Sequence, residues 1–332
     1  MDEESMSRPR LVITGAGGFS GEHACRHFSS QGWEVTAVLR EQASDQAPAW
    51  LQQVETVAYC DLSSRQETET LIQLTRPEYV LHLAGMNAVA SSWKDPIAAL
   101  QSNVMGTVHL LEAVRQLNES LHQKSSSGNG SQASQACRIL VIGSMLRFKL
   151  PLTADSEGPP HPYSLSKTMQ VLAAQSWASL YGLEVIAAEP ANLIGPGRST
   201  GLCTLLARFA AETERAAAGG MQQPGPFKLS SRTETRDLLD VRDAVRAYEL
   251  LLRSGVRGRV YPVTSGRLRT IGELADRFDQ IAAVPLHWEV GQSQAPSPVP
   301  DSPAAIRELG WHPQITIEQS ISDVLEYARS RH

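Results

Sequence analysis

Three side chains in this sequence have the types and spacing to move a proton: Ser144, Tyr163 and Lys167. Tyr163 and Lys167 stand four residues apart in Pro162 to Tyr181, a stretch with helical spacing that accepts Pro162 in its first turn, so both project from one face. A phenol titrates near pH ~10 and is a poor proton shuttle at neutral pH unless its phenolate is stabilised. An ammonium one turn away can do that, and moving the phenol by one pH unit takes about 1.36 kcal/mol. Ser144 follows the short apolar run Arg138 to Gly143, read as a strand, and its hydroxyl would meet the pair and hydrogen-bond a reacting oxygen. A Tyr and a Lys at this spacing also occur on ordinary half-exposed helices. What gives the pair weight is its company: a serine at a strand end and a glycine loop upstream, in the right order.

That loop is Leu11 to Gly21, LVITGAGGFSG, where an apolar strand stops at a glycine cluster and an amphipathic helix through Ala24, Phe28 and Trp33 begins. Gly15 permits a tight turn, Gly18 lets backbone approach a pyrophosphate, and Gly21 allows close packing of helix on strand. The helix N-terminus then turns unpaired N–H groups toward phosphate. Further strands are read at Glu34 to Leu39, Val54 to Tyr59, Tyr79 to Ala84, Arg138 to Gly143 and Leu183 to Ala188, with helical segments between them. Such alternation predicts an α/β fold, a doubly wound parallel sheet of Rossmann type in which strand ends face the ligand crevice. Trp93 to Leu117 reads as one long helix or a pair, with Pro96 able to open a helix. Asn118 to Ala136 has almost nothing to bury and reads as a disordered rim loop, a lid being the alternative. Beyond Asn192 the alternation loosens into a glycine-rich turn, Asn192 to Gly201, and then a smaller lobe. The division expected is 1–190 for the dinucleotide and 191–332 for the substrate, with some chain crossing back.

Composition fits an enzyme-sized chain: 332 residues, 42% hydrophobic, enough to bury a substantial core. A net charge of −5 without a basic run argues against nucleic acid as a partner. No apolar stretch reaches the ~18 residues of a membrane helix, and the polar start carries no export signal, so no membrane partner is expected and the cytoplasm is the expected location. Cys25, Cys60, Cys137 and Cys203 lack metal or redox spacing, and no metal site is expected.

Other residues carry two readings. Asp61 can cap a helix starting at Leu62. His82, inside an apolar strand, reads as a core or supporting histidine rather than a catalyst. Asn103 reads as a structural amide that fixes the active-site backbone. Arg198 and Arg236 can clamp phosphate bidentately or form surface ion pairs. The strand Val35 to Val38 ends in Leu39-Arg40, where an NAD-preferring enzyme offers an acid to the ribose. Arg40 can instead grip a 2′-phosphate, unless Glu41 takes the ribose one residue late. NADP(H) is therefore the favoured cofactor and NAD(H) the alternative.

Together, Thr14-Gly15-x-x-Gly18-x-x-Gly21, Asp61-Leu62, His82-Leu83-Ala84-Gly85, Asn103-x-x-Gly106-Thr107, Ser144 and Tyr163-x-x-x-Lys167 resemble the extended short-chain dehydrogenases/reductases, the NAD-dependent epimerase/dehydratase family. The likeness runs over essentially the whole chain. Asn192 to Gly197, Arg236 to Asp243 and Gly310 to Pro313 look most like nucleotide-sugar enzymes of the GDP-4-keto-6-deoxymannose reductase type. The resemblance implies catalytic roles for Ser144, Tyr163 and Lys167. It places Gly15, Gly18, Phe19, Ser20 and Arg40 on the cofactor, with Asp61 and Leu62 at its adenine. Leu83, Ala84, Gly85, Asn103, Pro190 and Leu193 join them, together with Tyr163 and with Lys167 on the nicotinamide ribose. Asn192, Arg198, Arg236 and Ser144 would hold a nucleotide-diphosphate sugar, in a homodimer. Two stretches depart from the family pattern: Met145 to Phe148 beside the serine, and the Pro-rich Gln294 to Pro300, which lacks the arginine and glutamate that relatives commonly place there. The activity expected is NADPH-dependent reduction of a nucleotide-linked 4-keto-6-deoxy sugar. An epimerase or dehydratase with tightly held cofactor is the alternative, and an NADP-binding sensor without turnover is a reading of a different class.

Overall fold

The computed structural model describes residues 8–41, 48–126, 136–149, 158–293 and 301–331. It divides into two compact units: Met1–Glu189 with Tyr248–Tyr261, and Pro190–Ala247 with Pro262–His332.

The first unit alternates as the apolar runs require. Its elements are β1 (Arg10–Thr14), α1 (Phe19–Ser30), β2 (Glu34–Leu39), β3 (Thr56–Tyr59), α2 (Arg65–Thr75), β4 (Tyr79–His82), α3 (Val89–Lys94), α4 (Pro96–Leu100), α5 (Gly106–Ser126), β5 (Arg138–Ile142), α6 (Pro162–Leu180) and β6 (Val185–Pro190). Every ladder from β6 through β5, β4, β1 and β2 to β3 is parallel. The inner strands β1, β4, β5 and β6 are buried nearly throughout, as parallel strands covered on both faces must be, while none of the four residues of the edge strand β3 is buried. One layer of the core packs Leu110, Leu111 and Val114 of α5 and Ile72 of α2 against Val80 and Ile139 of the sheet. Burying a side chain of this size contributes about 1.5 to 3 kcal/mol.

Of two stretches, the first takes the broken alternative of its sequence reading, with a helix opened at Pro96, and the second departs from the loop reading. Trp93 to Leu117 breaks at Asp95, which leaves helical geometry and caps α4 by accepting from Ala98 N (2.9 Å), with Pro96 in the first turn. A π-helical turn, Gln101–Met105, then joins α4 to α5. Asn118 to Ala136 is not one irregular loop, because α5 runs on to Ser126. Arg115 bridges Glu112 (2.7 Å) and Glu119, Leu121 packs on the core, and the Asn118 side chain accepts from Cys137 N (3.0 Å). Residues 127–135 of that tract, and Gln294 to Pro300, lie outside the described residues.

The second unit holds β7 (Asn192–Ile194), α7 (Leu202–Ala218), β8 (Phe227–Leu229) and β9 (Thr235–Asp240). α8 (Val241–Ser254) and β10 (Val260–Val263) lie next along the chain, where it passes through the first unit at Tyr248–Tyr261; β10 is the edge strand of the seven-stranded sheet, beside β6. Then come β11 (Leu268–Thr270), α9 (Ile271–Ile281), β12 (Trp288–Val290), α10 (Ala304–Arg307) and α11 (Ile317–Ser330). Here β9 lies between β7, parallel to it, and β11, antiparallel, while β8 pairs with β12. The core of this unit gathers Leu206 and Ala210 of α7, Leu274 and Phe278 of α9, and Ile321 and Leu325 of α11. The stretch read as a glycine turn from Asn192 thus begins as β7, and Arg236 to Asp240 is a strand.

Candidate active site and cofactor cleft

Chain order in the sheet runs outward from β1 through β2 to β3, then crosses back to β4 on the other side of β1. At such a switch point the loops after two neighbouring strands diverge and leave a crevice. A cleft of about 580 Å³ lies there, between the loop after β1 and Leu83–Gly85 after β4. Gly15 has φ +70°, and a Cβ on it would stand 2.6 Å from Ala84 N, so only glycine fits. Gly18 N donates to Gly15 O (3.0 Å), and Gly18 caps α1 without a side chain, leaving first-turn N–H groups for a ligand. Gly21 differs from its reading: a Cβ there would strike Gly15 O and Ala16, so it seats the helix on the loop itself rather than on the strand. Open backbone donors and a cradle that a Cβ would fill suit a dinucleotide diphosphate.

Of the residues expected at the cofactor, Gly15, Gly18, Arg40, Asp61 and Leu62 line this cleft, as do Leu83, Ala84 and Gly85. Phe19 and Ser20 occupy the first turn of α1. Glu41, the alternative ribose contact, lines the cleft as well, and Asn87, Gln101 and Ser102 line it without having been singled out. Gln101 and Ser102 share the π-helical turn with Asn103, a turn that no side-chain periodicity announces. Asp61 is not a helix cap: Ser64 caps α2 by accepting from Glu67 N (3.3 Å), three residues later than expected. The Asp61 carboxyl accepts instead from Ser63 N (2.9 Å), and this bond, a second from the Ser63 side chain and the charge of Arg40 hold it below the usual carboxylate range.

Ser144 follows β5, and Tyr163 and Lys167 stand one turn apart on α6. Burial pushes the Tyr163 phenol above its ordinary value, opposed by a hydrogen bond with Ser144. The sequence suggested that the Lys167 charge would hold the phenol low; here the amine turns elsewhere. Its Nζ donates to Ile142 O (3.0 Å) and Gln170 Oε1 (2.8 Å), and burial without a counter-charge lowers it to about 7. The phenol therefore stays protonated at neutral pH, as an acid must.

Asn103 ties this helix to the cleft. Its Oδ1 accepts from Met86 N (2.7 Å), and its Nδ2 donates to Met86 O (3.1 Å) and to Ser166 Oγ (2.9 Å), which donates to Tyr163 O (2.9 Å). Tyr163 N donates to Ser92 Oγ (3.0 Å). His82 is fully buried between Thr14 and Thr107, and burial holds it at about 3, a neutral ring. The altered segment after the serine is fastened at its far end. Arg147 pairs with the buried Glu189 at the end of β6, and Phe148 N donates to Thr168 Oγ1 (2.8 Å).

The remaining candidates belong to the second unit, apart from Pro190, where β6 passes into it. Leu193 and Asn192 lie in β7, and Asn192 Nδ2 donates to Asp237 O (3.1 Å). Arg198 is exposed. Arg236 is engaged by Glu234 (2.7 Å) and its own neighbour's carbonyl, Thr235 O (2.8 Å), so a phosphate would have to replace an ion pair. The carboxylates of Arg236 to Asp243 serve the fold. Asp237 accepts from Ser265 N and Gly266 N (both 3.0 Å), Asp240 binds Arg242 and Ser320, and Asp243 accepts from Gln314 N and Ile315 N (both 2.9 Å). Trp311 Nε1 donates to Asp243 O (3.1 Å), which joins these two motifs. Among the described residues no helix is long and apolar enough to cross a membrane, and no group of His, Cys, Asp and Glu could hold a metal.

Residues 11–264 match the family described as NAD dependent epimerase/dehydratase. The chain is 30% identical to GDP-6-deoxy-D-mannose reductase of Pseudomonas aeruginosa, over 97% of this chain and 98% of that one. It is 25% identical to dTDP-glucose 4,6-dehydratase of Salmonella typhimurium, over 96% and 92%. Among solved structures, RMD from Pseudomonas aeruginosa complexed with NADPH aligns with TM-score 0.76 at 28% identity, covering 98% of this chain and all of that one.

Proposed function

The chain belongs to the NAD-dependent epimerase/dehydratase family of NAD(P)-dependent enzymes, and from that premise we propose that it uses NADPH to reduce the 4-keto group of a nucleotide-linked 6-deoxy sugar. The observation that carries this reading is a buried, protonated Tyr163 hydrogen-bonded to Ser144. In the proposed reaction the bound nicotinamide supplies a hydride to the carbonyl carbon. Ser144 hydrogen-bonds the carbonyl oxygen, and Tyr163 donates its phenolic proton as negative charge gathers there. Lys167 would hold the ribose of the cofactor, and its charge one helical turn from the phenolate would stabilise it.

An epimerase or a dehydratase would use the same phenol as a base in a first oxidation and would regenerate its cofactor, so net consumption of NADPH is what separates those readings from this one. Water elimination also calls for a further acid and base, and Met145 to Phe148 bring no carboxylate beside the serine. A sensor without turnover has no need of the Ser144–Tyr163 bond. NADP(H) is preferred on this reading because Arg40, at the mouth of the cleft, can fork onto a 2′-phosphate. The diphosphate of the sugar nucleotide would be held by Arg236 after release from Glu234, with Arg198 and Asn192. A homodimer is proposed through α6 and the helices packed on it, where Trp93, Ile97, Leu165, Met169 and Leu172 are 38 to 66% exposed; light scattering should give twice the chain mass, and a monomer would refute it. Mixing the protein with NADPH and a panel of nucleotide-linked 4-keto sugars tests the reaction. Loss of nicotinamide absorbance is expected with one of them, and product formation without that loss would favour the epimerase.

A further inference from the structure

One buried polar chain is not used by the reaction as described. Thr107 has a single hydroxyl proton, and it goes to Asn103 O (2.7 Å). Its oxygen must then accept from both remaining neighbours, Gln170 Nε2 (2.9 Å) and His82 Nε2 (2.8 Å). That fixes His82 as the tautomer protonated on Nε2, so its Nδ1 accepts from Thr14 Oγ1 (2.8 Å), and Thr14 Oγ1 in turn accepts from Ala84 N (3.3 Å). The same logic fixes the Gln170 amide with Oε1 toward Lys167, since the flipped amide would set donor against donor. Each member is fully buried or nearly so and each polar atom of the chain has a partner, which fixes the orientation of the whole chain.

The two ends of the chain are places of consequence. Thr14 is the last residue before Gly15 of the phosphate loop. At the other end, two of the three ammonium protons of Lys167 are taken by Ile142 O and Gln170 Oε1. The third remains, and Nζ lies close to the cleft, 3.7 Å from where a Cβ of the cleft residue Gly85 would be.

We propose that Gln170 is a positioning residue that aims the Lys167 amine at the cofactor, and that Thr107 and His82 tie this aim to Thr14 at the foot of the glycine loop. A neutral amide suits the task. It fixes the direction of the amine without fixing its charge, whereas a carboxylate at the same place would pin the ammonium as an ion pair. The titratable groups packed about the amine are His82, from β4 and already neutral, and Tyr163 of the same helix. The proposal rests on the reading of this cleft as the NAD(P) site and does not depend on which sugar is reduced.

The test is a double-mutant cycle on NADPH binding, read by nicotinamide fluorescence. Gln170→Leu should weaken binding about 10-fold when Lys167 is present and by less than about 2-fold in a Lys167→Ala background, because its effect passes through the amine. Equal factors in the two backgrounds, or no effect in either, would overturn the proposal. Gln170→Glu keeps the shape and serves if the leucine variant does not fold. Wild-type affinity should fall as pH rises through about 7, where burial places the amine. In Gln170→Glu that fall should move upward by about one pH unit or more, because a carboxylate favours the ammonium. An unmoved profile would contradict the assignment. Absence of NADPH binding by the wild type would overturn the reading of the cleft itself, and the proposal with it.

Discussion

In the first unit the buried polar side chains converge, Thr14, His82, Thr107, Gln170 and Lys167 running as one chain from the glycine loop to the amine beside the cleft. In the second they diverge: Asp237, Asp240 and Asp243 lie on one strand and the helix after it, and each fastens a different stretch of chain. Both sets are buried polar residues. The difference lies in their partners. Side chains that bond to one another and leave a donor close to a cleft are arranged for chemistry. Carboxylates that each tie down backbone N–H groups and side chains of a separate stretch of chain are arranged for folding.

The contrast breaks first, and by most, at Asp243. Asp243→Ala leaves Gln314 N and Ile315 N without their acceptor and Arg246 without its partner, so urea denaturation should show a loss of about 3 kcal/mol or more. A loss below about 1 kcal/mol would mean that this carboxylate does not hold the fold. Tyr163→Phe should act in the opposite way, with stability and NADPH affinity nearly kept and turnover reduced about 100-fold or more. Near-normal turnover would remove Tyr163 from the reaction. The smallest expected effect, and the most selective, is at the rim of the cleft. Arg40→Ala should weaken NADPH about 10-fold, leaving NADH unchanged, because only the 2′-phosphate is lost as a partner. Equal weakening of both would hand the ribose to another group, with Glu41 the neighbouring candidate.

Much of the first unit is legible in the sequence because its signals are local. A strand, Gly15 and a helix stand within a few residues of one another, and Tyr163 and Lys167 share one helix face. Asn103 was legible as a structural amide for the same reason, standing in a short motif. The break at Pro96 was legible, but the bend that follows it was not. Asp95 ends one helix and caps the next, and the π-helical turn that carries Gln101 and Ser102 to the cleft leaves the hydrophobic spacing almost undisturbed. The helical start of the polar tract was hidden by composition, since the Arg115 pairs with Glu112 and Glu119 outweigh a run of poor core residues. In the second unit the motifs themselves were visible but not their purpose, because the partners of Asp243 lie about seventy residues further on. Lys167 shows the same limit on a smaller scale: its spacing from Tyr163 was plain, while the pull of Ile142 O and Gln170 on its amine was not.

The central claim, reduction rather than internal rearrangement, is tested most directly by counting NADPH consumed against sugar product formed, on a nucleotide-linked 4-keto-6-deoxy sugar. The account predicts one NADPH oxidised for each sugar reduced. Sugar isomerised with no net change in the nicotinamide would contradict it.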